Sequence, residues 1–148
     1  MNRIYFAAPL FNAAEKDFNL KVCKIFEDAG YEVFLPQRDG VLAAETYNKS
    51  EAEITKTVFK KDTSELAKSD ILIFVTDGRV PDEGACVELG IAYALGKRCY
   101  GIRTDARALE NGLSLNPLIQ GCFNKVFFDY DSEKLFLTIK EYLAENNL

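Results

Sequence analysis

The chain has 148 residues, with 18 Lys and Arg against 23 Asp and Glu, and it contains no histidine. This length fits one domain, so we expect a single domain over residues 1–148. The net charge of −5 argues against binding to a nucleic-acid polymer, which requires a concentrated basic surface. Without histidine there can be no Ser-His-Asp triad, no Cys-His pair and no His-ligated zinc ion.

The cysteine spacing and the lengths of the apolar segments bear on the cellular compartment in which the protein is expected. The four cysteines form no Cys-x-x-Cys pair, so the sequence predicts reduced, buried thiols and neither a zinc nor a redox site. No run of about 18 apolar residues occurs, and the amino-terminal segment lacks the apolar stretch of a signal peptide. We therefore expect a cytoplasmic protein that does not associate with membranes.

Strand-like and helix-like segments alternate along the chain. In chain order, the sequence predicts strand Arg3–Ala7, helix Asn12–Ala29, strand Tyr31–Leu35, helix Glu45–Lys68, strand Ile71–Val75, helix Gly84–Leu95, strand Arg98–Ile102, an irregular segment Thr104–Asn111, a short helix Asn116–Gln120, strand Lys125–Phe128 and helix Ser132–Asn146.

This alternation predicts an α/β fold. The segment Ile71–Val75 shows no polar alternation, which is typical of a strand covered on both faces in a parallel sheet. We expect a flavodoxin-like, doubly wound sheet of five strands in the order 2-1-3-4-5, with helices on both faces. In such sheets the ligand lies beyond the carboxyl ends of strands 1 and 3. That rule selects the loops Ala8–Asn12 and Thr76–Glu83.

One acidic residue stands out near the second loop. From Gly84 to Gly96 the only charged residue is Glu88, and a helix so apolar on all sides is predicted to be buried. Burial of a carboxylate costs several kcal/mol, and helical pitch places Glu88 one turn after Gly84, near the predicted crevice. A packing role beside Arg or Lys is the alternative. We interpret Glu88 as a functional carboxylate.

Three further residues are weaker candidates. Asp82 lies in the loop before this helix and Asp70 directly precedes the apolar strand, where either carboxylate is compatible with an ordinary cap or turn. Tyr5 lies on the first strand, where it either packs in the core or hydrogen-bonds a carboxylate and tunes its pKa. No G-x-G-x-x-G follows that strand and no GK[ST] occurs, which argues against a Rossmann dinucleotide site or a P-loop.

These residues form a series that resembles the nucleoside 2-deoxyribosyltransferases over nearly the whole chain. The D-x-G-x-x-x-E-x-G block that runs from Asp82 is the most specific element, and the Y-x-A-x-P-L-F start at Tyr5 supports it. Further matching segments are Ser69-Asp70, Ala92–Lys97 and Leu115–Leu118.

The resemblance implies catalytic roles. By this resemblance, Glu88 would be the nucleophile that attacks the anomeric carbon and forms a covalent deoxyribosyl intermediate, and Tyr5 would hold and tune that carboxylate. Asp82 would bind the sugar hydroxyls, and Asp70 would contact the nucleobase and help deliver its proton. The reaction needs no metal and no cofactor. A retaining mechanism with one carboxylate as nucleophile agrees with a chain that lacks histidine.

The resemblance also implies a substrate pocket and an oligomer. Phe11 and Gln37 would line the base pocket, Gly84 would lie in the substrate site, and Asn116 would reach the sugar site of a neighbouring subunit. The partners are small deoxynucleosides, free nucleobases and further copies of this chain.

Two departures and two alternatives remain. Ala8 replaces a glycine that is frequent in the family, and the first loop lacks the Gly/Arg-rich composition of the related 2′-deoxynucleotide N-hydrolases. This favours nucleosides over nucleotides, although Ser114 offers a hydroxyl for a phosphate. The alternatives to a transferase are a deoxynucleoside or deoxynucleotide N-glycoside hydrolase, and a non-catalytic nucleotide-binding signalling module.

Overall fold

The structure, a computed structural model, describes residues 2–41, 43–107 and 112–148. Its strands are β1 (Arg3–Ala7), β2 (Glu32–Phe34), β3 (Ile71–Val75), β4 (Arg98–Arg103) and β5 (Lys125–Phe128). Its helices are α1 (Ala13–Asp28), α2 (Pro36–Asp39), α3 (Ala43–Thr46), α4 (Glu51–Lys68), α5 (Glu83–Ala94), α6 (Pro117–Gln120) and α7 (Ser132–Glu145). The end of the segment predicted to be irregular, residues 108–111, lies outside the described residues.

The five strands form one sheet in the order β2-β1-β3-β4-β5, and every pairing is parallel. Tyr5 of β1 lies opposite Leu72 of β3 in this register. All residues of β3 are buried, as expected for a strand covered on both faces. The predicted flavodoxin-like order and the doubly wound architecture are confirmed.

Separate apolar cores lie on the two faces of the sheet. On one face, α1 and α7 pack Phe26 and Leu135 against strand residues such as Ile4 and Ile73. On the other face, α4 and α5 pack Leu66 and Leu89 against the strands, and Tyr5 belongs to this second core. The alternation of side chains along a strand therefore directs Tyr5 towards α4 and α5.

The predicted helix Glu45–Lys68 is wrong at its beginning. The chain forms the short α3, turns through Asn48 with a positive φ of 60°, and only then begins α4. Ser50 caps α4, because its side chain accepts a hydrogen bond from the backbone of Glu53 while the Glu53 carboxylate bonds back to Ser50. This capping box is a sequence signal for the true start of the helix.

The prediction that α5 is buried on all sides is also wrong for the single chain. Ala85, Leu89 and Ala92 are buried, but Val87 is 59% exposed and Tyr93 is 58% exposed. The apolar composition of α5 therefore exceeds what its contacts with the sheet require. Within the described residues, no helix is both long enough and apolar enough to cross a membrane.

Candidate functional site

A hydrogen bond between β1 and α5 lies at the centre of the candidate site. The phenol of Tyr5 donates to Oε1 of Glu88 over 2.6 Å. Tyr5 is fully buried, and its ring stacks on Phe34 of β2 with centroids 5.4 Å apart. The sheet therefore holds the Tyr5 hydroxyl in place. Its short hydrogen bond to the carboxylate in turn holds Glu88 in position.

The surroundings of Glu88 change its acidity. Burial raises the pKa of the Glu88 carboxyl to about 7, against the opposing effect of the Tyr5 hydrogen bond, and the nearby charges of Asp62 and Asp82 raise it further. Burial also raises the pKa of the Tyr5 phenol, and the negative charge of Glu88 adds to that effect. Tyr5 therefore stays protonated and remains a hydrogen-bond donor while Glu88 titrates near neutral pH.

Asp62 of α4 is a further acid at this site that the sequence analysis did not select. It is half-buried, burial raises the pKa of its carboxyl, and its charge acts on both Tyr5 and Glu88. The available signal was its spacing, because Asp62 lies four residues before the buried Leu66 and therefore on the inner stripe of α4. An acid on that stripe has the same unusual character as Glu88 in α5.

Asp82 and Gly84 occupy the first turn of α5. Asp82 is the N-cap residue, and its Oδ1 accepts a hydrogen bond of 2.8 Å from the backbone of Ala85. A Cβ atom on Gly84 would lie 3.3 Å from that same Oδ1, so the small residue gives the cap its space. The structure thus places Asp82 and Gly84 in the first turn of α5 and Glu88 one turn later, and it shows that Asp82 caps the helix.

Asp70 does not join this group. It lies before β3 at the amino edge of the sheet, where its Oδ2 accepts a hydrogen bond of 2.9 Å from the backbone of Arg3. Its charge is not among the leading influences on the pKa of Tyr5 or of Glu88. The expected role of Asp70 at the nucleobase does not fit this position, because its carboxylate is engaged at the strand edge and not between α4 and α5.

Phe11 and Gln37 lie at the carboxyl edge, in the segments that follow β1 and β2. Phe11 is 75% exposed. Gln37 is held in place, since its Oε1 accepts a hydrogen bond of 2.9 Å from Asn19 and its Nε2 donates to the carbonyl of Lys16. Asn19 also donates to the carbonyl of Pro9, so this amide pair links the two segments. Gln37 therefore supports the rim of the site through defined contacts.

Asn116 lies away from Glu88 in the single chain. It caps α6, where its side chain accepts a hydrogen bond of 2.9 Å from the backbone of Leu118, and it is exposed. Glu88 bonds to Tyr5 of β1, whereas α6 directly precedes β5. In the sheet, β3 and β4 lie between β1 and β5. The structure therefore brings Tyr5, Asp82, Gly84 and Glu88 together and leaves Asn116 and Asp70 outside that group.

The loop that leads to Asp82 is fixed by hydrogen bonds to the next loop. Asp77 accepts from the backbone nitrogens of Thr104 and Asp105 over 2.7 and 3.0 Å, and the Thr104 hydroxyl donates to the same carboxylate. Gly78 has a φ of 122°, in a region that side chains disfavour, and a Cβ there would lie 2.8 Å from the carbonyl oxygen of Val80. This turn fixes the direction in which the chain enters α5.

The chain is similar to known proteins over nearly its whole length. The sequence profile described as nucleoside 2-deoxyribosyltransferase matches residues 4–147. A 2-deoxyribosyltransferase from Bacillus psychrosaccharolyticus superposes with a TM-score of 0.74 at 26% identity, over 95% of this chain and 91% of that chain. A conserved protein from Enterococcus faecalis V583 gives a TM-score of 0.75 at 25% identity, over 95% of this chain and 98% of that chain.

A CMP N-glycosidase from Clostridium botulinum shares the fold, with a TM-score of 0.63 at 18% identity over 93% of this chain and 98% of that chain. No curated protein matches the chain significantly. The family profile covers almost all of the sequence, and the resemblance expected from the motifs is confirmed. The chain belongs to the nucleoside 2-deoxyribosyltransferase family.

Proposed function

We propose that this protein is a nucleoside 2-deoxyribosyltransferase that moves 2-deoxyribose between nucleobases through a covalent bond to Glu88. The observation that carries the proposal is the Tyr5–Glu88 hydrogen bond of 2.6 Å, which holds a carboxylate with a pKa of about 7 beside a second acid, Asp62. A retaining glycosyl transfer requires this combination of a nucleophilic carboxylate and a proton donor.

In the first half-reaction, Oε2 of Glu88 bonds to the anomeric carbon while Tyr5 holds Oε1. The bond between that carbon and the base nitrogen breaks, its electron pair stays on the base, and protonated Asp62 supplies the proton that the base takes up. The raised pKa of Asp62 suits a proton donor, so Asp62 takes the role that the sequence analysis gave to Asp70.

In the second half-reaction, a nitrogen of the incoming base attacks the anomeric carbon and returns its proton to Asp62. Glu88 leaves as a carboxylate, and the Tyr5 phenol stabilises the charge that returns to it. In this proposal Asp82 at the start of α5 binds sugar hydroxyls, and Phe11 and Gln37 border the base.

Incubation with deoxyadenosine, with and without free cytosine, tests the activity. We expect deoxycytidine and adenine in the tube with cytosine and little release of adenine without it. Equal release of free deoxyribose and adenine in both tubes would instead identify the runner-up, an N-glycoside hydrolase in which water accepts the sugar. No turnover of deoxynucleosides or of their 5′-monophosphates would favour the third possibility, a non-catalytic signalling module.

We further propose that the enzyme acts as a homo-oligomer in which Asn116 completes the sugar site of a neighbour. Val87 and Tyr93 on α5 and Leu118 on α6 are all more than half exposed, which offers an apolar surface to a second copy. Mixing inactive Glu88→Gln chains with Asn116→Ala chains should restore about a quarter of wild-type activity in a two-site dimer that exchanges subunits freely.

A matched control mixes Glu88→Gln with Asp62→Asn. Both residues belong to the same chain's site, so no combination of these subunits contains an intact pair and activity should stay absent. Recovery in the control, or none in the Asn116 mixture, would contradict the shared site.

The location that we propose for the enzyme is the cytoplasm. All four cysteines, Cys23, Cys86, Cys99 and Cys122, are free thiols. Burial raises the pKa of Cys23 to about 12 and that of Cys99 to about 11, so both stay protonated and act as apolar core residues. Thiols of this kind suit a reducing compartment, and fractionation of cells that produce the protein tests the assignment.

A further inference from the structure

A cavity whose lining does not include Tyr5 or Glu88 has a basic character. It has a volume of about 170 Å³ and lies between the loop after β3 and the segment before α6. Its polar lining consists of Arg79, Arg103, Arg107, Ser114 and Asn116. No carboxylate occurs among the described residues that line it. In a protein with a net charge of −5, three arginines around one small cavity form an unusual local concentration of positive charge.

Arg103 carries the strongest part of the argument. It is the last residue of β4 and is only 4% exposed. Its guanidinium donates to the backbone carbonyls of Thr76 and Arg107. Over the described stretches of the chain no ion pair joins it to a carboxylate. Burial of a cation without a counter-charge costs several kcal/mol, whereas a guanidinium has five N–H donors in a planar fork that suits an oxyanion.

Arg107 and Arg79 complete the charge balance of the cavity. Arg107 is paired with Asp105, whose Oδ1 accepts from its Nε over 2.8 Å. Asp105 also accepts a hydrogen bond of 3.0 Å from the backbone of Gly78, which ties the two lips of the cavity together. Arg79 is exposed at the rim. One of the three positive charges is therefore neutralised, and two remain available to a ligand.

The cavity is separate from the pair that we assign to catalysis. Glu88 bonds to Tyr5 of β1 and faces Asp62 of α4. The cavity is lined by the loop Gly78–Pro81, by Arg103 of β4 and by residues next to α6, and neither Tyr5, Asp62 nor Glu88 is among its lining residues. A ligand group in this cavity does not compete for the position that the anomeric carbon takes at Glu88 of the same chain.

We propose that this cavity binds a phosphate group, with Arg103 as the buried two-pronged donor and with Arg79 and Ser114 as further contacts. The phosphate comes either from a nucleotide or from free inorganic phosphate, and the two share the same tetrahedral oxyanion chemistry. The composition of the first loop, Ala8–Asn12, favoured nucleosides over nucleotides. This cavity lies outside that loop and would give the chain a phosphate site of its own.

Calorimetric titration of the full-length protein with inorganic phosphate tests the proposal without any need for turnover. We expect saturable binding with one site per chain. Arg79→Gln should weaken it roughly tenfold, since a charge-assisted contact is lost. Arg98→Gln removes the same charge from the other end of β4 and should leave it unchanged. Absence of saturable binding, or equal weakening by both substitutions, overturns the proposal.

Two additions sharpen this test. Arg103→Lys keeps the buried charge but loses the fork, so it should weaken phosphate binding more than Arg79→Gln does. If this variant does not fold, the comparison of Arg79→Gln with Arg98→Gln decides alone. Because phosphate binding is measured directly, a failure here is distinct from a failure of the proposed transferase activity.

Turnover of deoxyadenosine and of its 5′-monophosphate then identifies the source of the phosphate. If kcat/KM is higher for the monophosphate than for deoxyadenosine, and Arg79→Gln abolishes that difference, the cavity binds the phosphate of a nucleotide substrate. Equal kcat/KM values, with deoxyadenosine turnover that responds to added inorganic phosphate in the wild type but not in Arg79→Gln, assign it to the free anion. Either result supports a phosphate site.

Discussion

The phenol of Tyr5 and the carboxylate of Glu88 form one unit, because the sheet holds the donor and α5 presents the acceptor 2.6 Å away. Two influences on the pKa of Glu88 oppose each other. Burial raises the pKa of the carboxyl to about 7, and the hydrogen bond from Tyr5 lowers it. A nucleophile that must bond to carbon and later leave benefits from a pKa near the working pH. The pair therefore sets how much of the enzyme is in its reactive form.

Glu88→Gln should abolish turnover and yet stabilise the fold at high pH. Burial raises the folded-state pKa of Glu88 from 4.5 to about 7, so the carboxyl favours folding below pH 4.5 and that contribution is lost as pH rises through 7. Gln has no charge to bury and still accepts the Tyr5 hydrogen bond. Above pH 8 we expect the variant to exceed the wild type by up to about 3 kcal/mol.

Urea unfolding at several pH values measures this difference. The gain should shrink as the pH is lowered towards 5, where the wild-type carboxyl is protonated in the folded protein. A constant difference across that range would show that Glu88 does not titrate as inferred, and near wild-type turnover would remove it as the nucleophile.

Tyr5→Phe should shift the pH profile of the reaction. The hydrogen bond from Tyr5 lowers the pKa of Glu88, so its loss raises that pKa and leaves less ionised carboxylate at neutral pH. We expect kcat/KM at pH 7 to fall roughly tenfold and to recover in part at higher pH, while stability drops by about 1 kcal/mol. The ring still stacks on Phe34. A uniform loss at every pH would indicate a packing defect instead.

Asp62→Asn and Asp70→Asn separate the two acids proposed for the nucleobase. Loss of the proton donor should lower kcat by roughly 10²–10⁴-fold in Asp62→Asn. Asp70→Asn should keep near wild-type kcat, because Asp70 bonds to the backbone of Arg3 at the opposite sheet edge. N7-methyl-2′-deoxyguanosine, whose base leaves without protonation, should be cleaved at nearly equal rates by wild type and Asp62→Asn. A large kcat defect confined to Asp70→Asn would reverse the assignment.

Asp82 has a structural role as a helix cap and a proposed role in sugar binding. The substitutions Asp82→Asn and Asp82→Ala distinguish the two roles. Asn caps a helix about as well as Asp, whereas Ala costs about 1 kcal/mol, so only Asp82→Ala should lower the melting temperature. Both substitutions remove a charge that raises the pKa of Glu88, so both should move the pH profile to lower values. Both should also raise KM if Asp82 binds the sugar. An unchanged KM in Asp82→Asn leaves Asp82 as a cap only.

Much of the fold follows from local sequence patterns. The alternation of apolar strands with helices, and the uniformly apolar β3, determine a parallel doubly wound sheet because such strands must be covered on both faces. Glu88 could be identified because it is the one charged residue in the apolar stretch from Gly84 to Gly96. The break before α4 was also encoded, in the capping box of Ser50 and Glu53.

The choice of the second acid required the tertiary structure. Asp62 and Asp70 are eight positions apart, and both flank the buried Leu66 in the sequence. Only the rotation of α4 against α5 shows that the charge of Asp62 acts on Glu88, and only the strand register shows that Asp70 is bonded to Arg3. Contacts between elements depend on how the elements pack, which spacing within one element does not determine.

The sequence by itself thus determined the topology of the sheet, the family motifs and the identity of the unusual glutamate. The tertiary structure decided which groups surround that glutamate, that α5 keeps an exposed apolar face, and that arginines distant in sequence gather around one cavity. The physical reason is the same in each case: pKa values, exposure and ligand sites arise from distances between segments, and folding alone sets those distances.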